Sequence, residues 1–293
     1  MTTGWQHAAR LRLTGRGDVH LRLGELIPAS ELPPWPCYLP WIRLEISTAR
    51  LVGPCCSDYQ VAPFRRDGSI ELGEMWNAPE LQAFRRNMSS GGHLTSCRTT
   101  CPVLAGATAR VPDLVLRGGT AAFVEHEIAA TQAMLDGELE LRTWPLDVTF
   151  PPTTYCNYDC LMCEWGEMGT LADELDESFY ASLSALLPTL RTIGVSGGEP
   201  LASPRFRRFL AELDWAVYPD LRLSLITNGS YLTLEEQERL ARVPFSGITL
   251  SLNAASPGTY ELVNRGLPWT RMRGNLDGLL QRRRDGQIGR AHV

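Results

Sequence analysis

From Leu146 to Arg284 the chain repeats one rhythm: a short apolar run, a loop, then a helical stretch. "LDVTF" (146–150), "TIGVS" (192–196), "LRLSLITN" (221–228) and "GITLSLN" (247–253) read as strands. They alternate with helical segments at 175–190, 203–216, 233–243 and 257–284. Strands separated by helices of this length are joined by crossovers and lie parallel, which predicts an α/β fold. Their Val, Ile and Leu content predicts a sheet covered on both faces. In such folds the site belongs on the loops that follow the strand C-termini.

Every distinctive motif falls on those loops. "CNYDCLMC" follows the first strand, "SGGEP" (Ser196–Pro200) the second, "TNGS" (Thr227–Ser230) the third and "SLNAAS" (Ser251–Ser256) the fourth. Cys156, Cys160 and Cys163 place three of the chain's 8 cysteines within eight residues. An iron–sulfur cube takes four thiolates, so three hold three irons and leave one iron open to a ligand. A zinc site wants a fourth nitrogen or sulfur, and the 5 histidines offer no obvious one. "TNGS" reads as a turn, and "SLNAAS" as either a turn into a helix cap or a ligand-facing loop.

The first third is different in texture. It is rich in Pro and Trp, with a strand expected at 41–47, a helix at 78–90 stopped by Gly91-Gly92, and a linking helix at 120–135. It also holds Cys37, Cys55, Cys56, Cys97 and Cys101. The net charge of −5 gives no electrostatic footprint for nucleic acid or an anionic membrane surface. No apolar run reaches membrane-spanning length, and the first residues lack the apolar core of a secretory signal. The expected setting is the cytoplasm, where thiols stay reduced and clustered cysteines read as metal ligands.

"CNYDCLMC" together with "SGGEP" resembles the radical S-adenosylmethionine (SAM) superfamily over about Leu146–Arg284. The resemblance implies a partial (β/α) barrel and a [4Fe–4S] cluster on Cys156, Cys160 and Cys163, with SAM chelating the open iron. It implies one-electron cleavage of SAM to methionine and a 5′-deoxyadenosyl radical, which abstracts a substrate hydrogen. It also implies a flavodoxin or ferredoxin-type electron donor. Gly197, Gly198 and Glu199 match the motif at the methionyl amino group, and Ser251 and Asn253 match positions facing the ribose. Met162 stands where the family often has an aromatic residue beside adenine, and Asn253 where it often has Asp. The rival reading is a non-catalytic iron–sulfur or zinc protein used for electron transfer or structure.

The stretch from "CYLPW" through "LVGPCC" to "CRTTC" is similar to a SPASM or twitch module, which binds an auxiliary [4Fe–4S] cluster. That likeness implies Cys37, Cys55, Cys97 and Cys101 as ligands, with Cys56 as the substitute for Cys55. Arg50 replaces the usual Gly, the module precedes the radical domain where it more often follows, and a zinc ribbon on the same thiols is the alternative. Members with such modules often modify peptides or protein side chains, so a peptide substrate is expected, with a small molecule as the alternative. The expected organisation is a SPASM/twitch-like module at 1–110, a linking helix at 111–145, the partial barrel at 146–287, and a tail at 288–293. That tail, "IGRAHV", reads as a translated sequencing adapter, and only four of the family's six strand–helix units are present. The chain is therefore expected to be a fragment.

Overall fold

The computed structural model describes residues 4–47, 51–55, 64–65, 71–92, 97–98, 100–103, 110–163, 174–286 and 291–292. It divides into two units, one of residues 1–148, 181–191 and 218–220, the other of residues 149–180, 192–217 and 221–293. Among the described residues no helix is long and apolar enough to cross a membrane.

The first unit is built from α1 (Gly4–Leu13), β1 (His20–Arg22), α2 (Leu39–Ile42), β2 (Arg43–Ile46), β3 (Leu51–Gly53), β4 (Phe64–Arg65), α3 (Leu72–Trp76), α4 (Pro79–Ser89), β5 (Val115–Arg117) and α5 (Ala121–Leu135). β2, β3 and β4 form an antiparallel meander, and β1 pairs antiparallel with β5. The strand expected from Trp41 starts only at Arg43, because Pro40 opens a single helical turn over Leu39–Ile42. Of the expected linking segment, α5 occupies 121–135, capped by the Thr120 hydroxyl, which accepts from the Phe123 N–H at 3.3 Å.

Two arginines, Arg85 buried and Arg191 half-buried, brace this unit. Arg85 is fully buried and donates to the carbonyls of Pro40 (2.9 Å), Leu139 (2.8 Å) and Trp76 (2.8 Å). Its guanidinium lies 4.7 Å from the Trp76 ring centroid. Burial lowers its pKa to about 9. Arg191 grips Asp147 through Nε (3.1 Å) and Nη2 (2.6 Å) and reaches Glu127 at 3.3 Å.

The second unit begins inside β6 (Asp147–Phe150) and continues through β7 (Asp159–Cys160), α6 (Glu177–Leu186), β8 (Thr192–Val195), α7 (Pro204–Glu212), β9 (Arg222–Thr227), α8 (Leu234–Leu240), β10 (Phe245–Leu250), α9 (Pro257–Val263), β11 (Asn264–Arg265), α10 (Trp269–Arg284) and β12 (Ala291–His292). The strand order is β6-β8-β9-β10-β12. β8 with β9, β9 with β10 and β10 with β12 are parallel. Leu250 pairs with Thr227 in register, so the loops after β9 and β10 leave the sheet at one level.

Burial along these strands alternates. Ile193, Val195, Leu223, Leu225, Ile248 and Leu250 are buried, whereas Thr149, Gly194 and Ser224 are half-buried and Ile226 and Thr249 exposed. The sheet is therefore apolar and buried on one face, and on the other carries small or polar residues and the exposed Ile226, which differs from the expected two covered faces. On the apolar side Phe150 meets Phe179 edge-on at 4.7 Å and Phe206 at 6.2 Å. The helical material expected without a break at 257–284 is split by β11. Asn264 caps the end of one helix, and Pro268 is the N-cap of the next.

Candidate active site

The loop after β6 is anchored by glycines from the loop after β8. Gly198 donates its N–H to the Thr153 carbonyl at 3.2 Å, and Glu199 donates to the Tyr155 carbonyl at 2.8 Å. A Cβ on Gly198 would lie 2.2 Å from the Tyr155 oxygen. Gly197 adopts φ +115°, and a Cβ there would lie 2.5 Å from the Pro151 Cβ. The Gly-Gly pair thus lets one strand-end loop rest on the run-up to the first cysteine.

The Glu199 carboxylate is fully buried and committed within the protein. Oε1 accepts from the Leu201 N–H (3.1 Å) and the Thr227 hydroxyl (2.7 Å), and Oε2 accepts from the Asn228 N–H (2.8 Å). Burial raises its pKa, and these three donors oppose the rise. Its role in this geometry is to tie the loop after β8 to the loop after β9.

The three cysteines are half-buried and carry no disulfide. Burial is the largest cause raising Cys156, with Cys163 adding to it, while a Tyr158 N–H and the Asn228 amide pull it down. Cys160 is pushed up to about 11 by burial and then by the nearby Cys156 and Cys163. The Cys163 N–H donates to the Cys160 carbonyl at 3.0 Å, closing a tight turn.

A short ladder holds the centre of this loop. β7 pairs antiparallel with β11, setting Cys160 opposite Asn264 and Asp159 opposite Arg265. The Leu161 N–H donates to the Val263 carbonyl at 2.9 Å. Below it, the buried hydroxyls of Tyr158 and Tyr260 are bonded at 2.9 Å. Asn264 is 1% exposed; its amide donates to the Leu252 carbonyl (2.9 Å) and its oxygen accepts from the Asn253 amide (2.7 Å). Asn253 takes the left-handed φ of 58°, a conformation that Asn tolerates better than most residues. Ser251 is half-buried, its N–H bonded to the Thr227 carbonyl at 2.9 Å. Met162 is 60% exposed at the loop surface.

The loop after β9 is equally built. Asn157 and Ser230 exchange side-chain bonds at 2.9 and 3.2 Å. Asn275 of α10 donates to the Gly229 and Ser230 carbonyls at 2.9 and 3.2 Å. Sequence reasoning took this segment for a turn and missed Asn157, Asn228, Asn264 and Asn275. Asn157 lies inside the cysteine motif and Asn228 at a strand C-terminus, which is the signal that marked the other positions.

In the first unit Cys37, Cys97 and Cys101 are buried and Cys55 half-buried. Cys37 is pushed up to about 12, chiefly by burial, with Cys97 and Cys101 adding to the rise. Cys56 lies outside the described residues.

Among the described residues no three His, Cys, Asp or Glu side chains are close enough to hold one metal ion. Cys163 nonetheless raises both Cys156 and Cys160, and Cys156 raises Cys160. All three are free thiols on one loop, and an all-sulfur donor set is the one iron–sulfur clusters take. The residues present fit that group.

Residues 150–285 match the radical SAM superfamily. This is a radical SAM domain. It makes that segment a member of an enzyme superfamily. Among solved structures, the chain is similar to "Native anSMEcpe with bound AdoMet", at 20% identity and TM-score 0.41, covering 50% of this chain and 42% of that one. It is also similar to "Native anSMEcpe with bound AdoMet and Cp18Cys peptide", at 16% identity and TM-score 0.37, covering 47% and 40%. The chain thus spans less than half the length of either. No curated protein matches it.

Proposed function

We propose that the radical SAM domain binds a [4Fe–4S] cluster through Cys156, Cys160 and Cys163 and uses it to cleave SAM reductively. When bound, these groups supply a one-electron cleavage and the abstraction of a hydrogen from the substrate. The observation that carries the reading is the set of three half-buried free thiols on one loop, on the rim where the loops after β9 and β10 also emerge. The chain's own residues hold the loop. Gly197 and Gly198 let the neighbouring loop approach, Glu199 fixes that loop to Asn228, and β11 fixes Cys160. Gly197, Gly198, Ser251, Asn253 and Met162 are the residues we assign to SAM, with Glu199 behind them as the buried tie.

Cys37, Cys55, Cys97 and Cys101 are proposed to hold an auxiliary [4Fe–4S] cluster, supported by the burial of Cys37, Cys97 and Cys101 and by the effect of the latter two on Cys37. With it we propose a peptide or protein side chain as substrate and a flavodoxin or ferredoxin-type protein as electron donor.

The test is anaerobic reconstitution followed by reduction with SAM present. Wild type releases 5′-deoxyadenosine, and Cys156→Ala, Cys160→Ala and Cys163→Ala each abolish the release. A single variant that keeps the wild-type rate overturns the assignment. Titrating SAM while following the EPR signal of the reduced cluster excludes a simple electron carrier, whose signal would not respond.

A further inference from the structure

The three thiols do not meet the same surroundings. The Cys156 sulfur lies 3.6 Å from Nδ2 of Asn228, and the Cys160 sulfur lies 3.6 Å from Oδ1 of Asn264. Which end of each amide faces its sulfur is fixed by other bonds. The Asn228 Oδ1 accepts from the Ser230 backbone N–H at 2.9 Å, and a backbone N–H can only donate. Its NH2 group must therefore face the other way, toward Cys156 and toward Oδ1 of Asn157 at 3.0 Å. For Asn264 the Leu252 carbonyl requires the NH2 group, which leaves the oxygen facing Cys160.

A thiolate is an acceptor only, so the donor at Cys156 favours it and the oxygen at Cys160 does not. Asn228 is also rigidly mounted. Its backbone N–H is held by the buried Glu199 carboxylate at 2.8 Å, and the following turn is held by Asn275.

We propose that Asn228 is a positioning residue that donates an N–H···S bond to the Cys156 thiolate and thereby raises the reduction potential of the cluster it ligates. The inference rests on the cluster reading above. Hydrogen bonds to cluster sulfurs raise the potential because the reduced state carries one more negative charge, which the donor stabilises. Asn228 acts through Cys156.

The experiment is an EPR-monitored redox titration of reconstituted wild type, Asn228→Ala and Asn228→Asp, with iron content and circular dichroism measured on each. Both variants are expected to retain iron and fold. At a fixed applied potential their ratio of reduced to oxidised cluster falls about tenfold, which is 59 mV for a one-electron couple, and further in Asn228→Asp, whose carboxylate cannot donate. A parallel measurement uses the protein without iron. The alkylation rate of Cys156, relative to that of Cys163, drops in Asn228→Ala because the thiolate loses its donor. Unchanged potentials together with unchanged alkylation rates overturn the proposal. Loss of iron from both variants overturns it too, since Asn228 would then be needed for folding or loading. A wild type that takes up no iron would defeat the cluster reading instead, and the alkylation rates still test the Asn228 bond on their own.

Discussion

Gly198 has no room for a side chain. The nearest obstacle is the backbone oxygen of Tyr155, 2.2 Å from where a Cβ would stand, and backbone cannot swing aside as a long side chain can. Gly274, in the exposed interior of α10, has nothing within 4 Å of the same position. The two glycines therefore answer the same substitution with opposite signs. Gly198→Ala is expected to cost about 3 kcal/mol or more, as overpacking against fixed structure does. Gly274→Ala is expected to stabilise by about 0.8–1 kcal/mol, the helix-propensity difference. Urea unfolding of both variants decides it, and a Gly198→Ala protein as stable as wild type would show that the loops do not touch as described.

At the scale of elements, α5 offers a pH test. Glu127 is buried on this helix and shares Arg191 with Asp147, which takes the closer, two-point grip. Burial pushes the Glu127 carboxyl up to about 7 from an ordinary 4.5, although Arg191 and the Arg117 N–H pull it down. In that interval the folded chain holds a proton that the unfolded chain has released. This contribution to stability is complete below about pH 4.5 and is lost as pH rises through about 7. Glu127→Gln should flatten the dependence of Tm on pH across that window, and an unchanged slope would place the titration elsewhere. The elements themselves were largely legible in the sequence. β6, β8 and β9 lie inside the expected strands to within one residue at each end, because long apolar runs alternate with helices, whereas β10 starts two residues before its expected strand and stops three short of its end. β7 and β11 were not legible. Each is two residues long, and what makes them strands is their pairing across a hundred residues of chain, which no local pattern records. For the same reason the cysteines could be read from spacing but the asparagines that hold them could not.

At the scale of the whole molecule, two groups of cysteines in one chain predict a stoichiometry. Reconstitution should give about eight irons per chain, two four-iron clusters. Replacing Cys97 and Cys101 together by Ala should lower this to about four and leave SAM cleavage chemistry measurable at the remaining cluster. Four irons with bound zinc in the unmutated protein would overturn the auxiliary cluster and spare the first. The ladder between Cys160 and Asn264 adds a matter of timing. The two residues are 104 positions apart. At ordinary rates of synthesis roughly 5–20 s separate the making of one from the making of the other. During that interval the nascent loop has its three thiols but not the strand that pins them, so they are open to oxidants and to iron carriers alike. A ribosome paused before codon 264 should expose Cys160 to alkylation, and release of the pause should protect it.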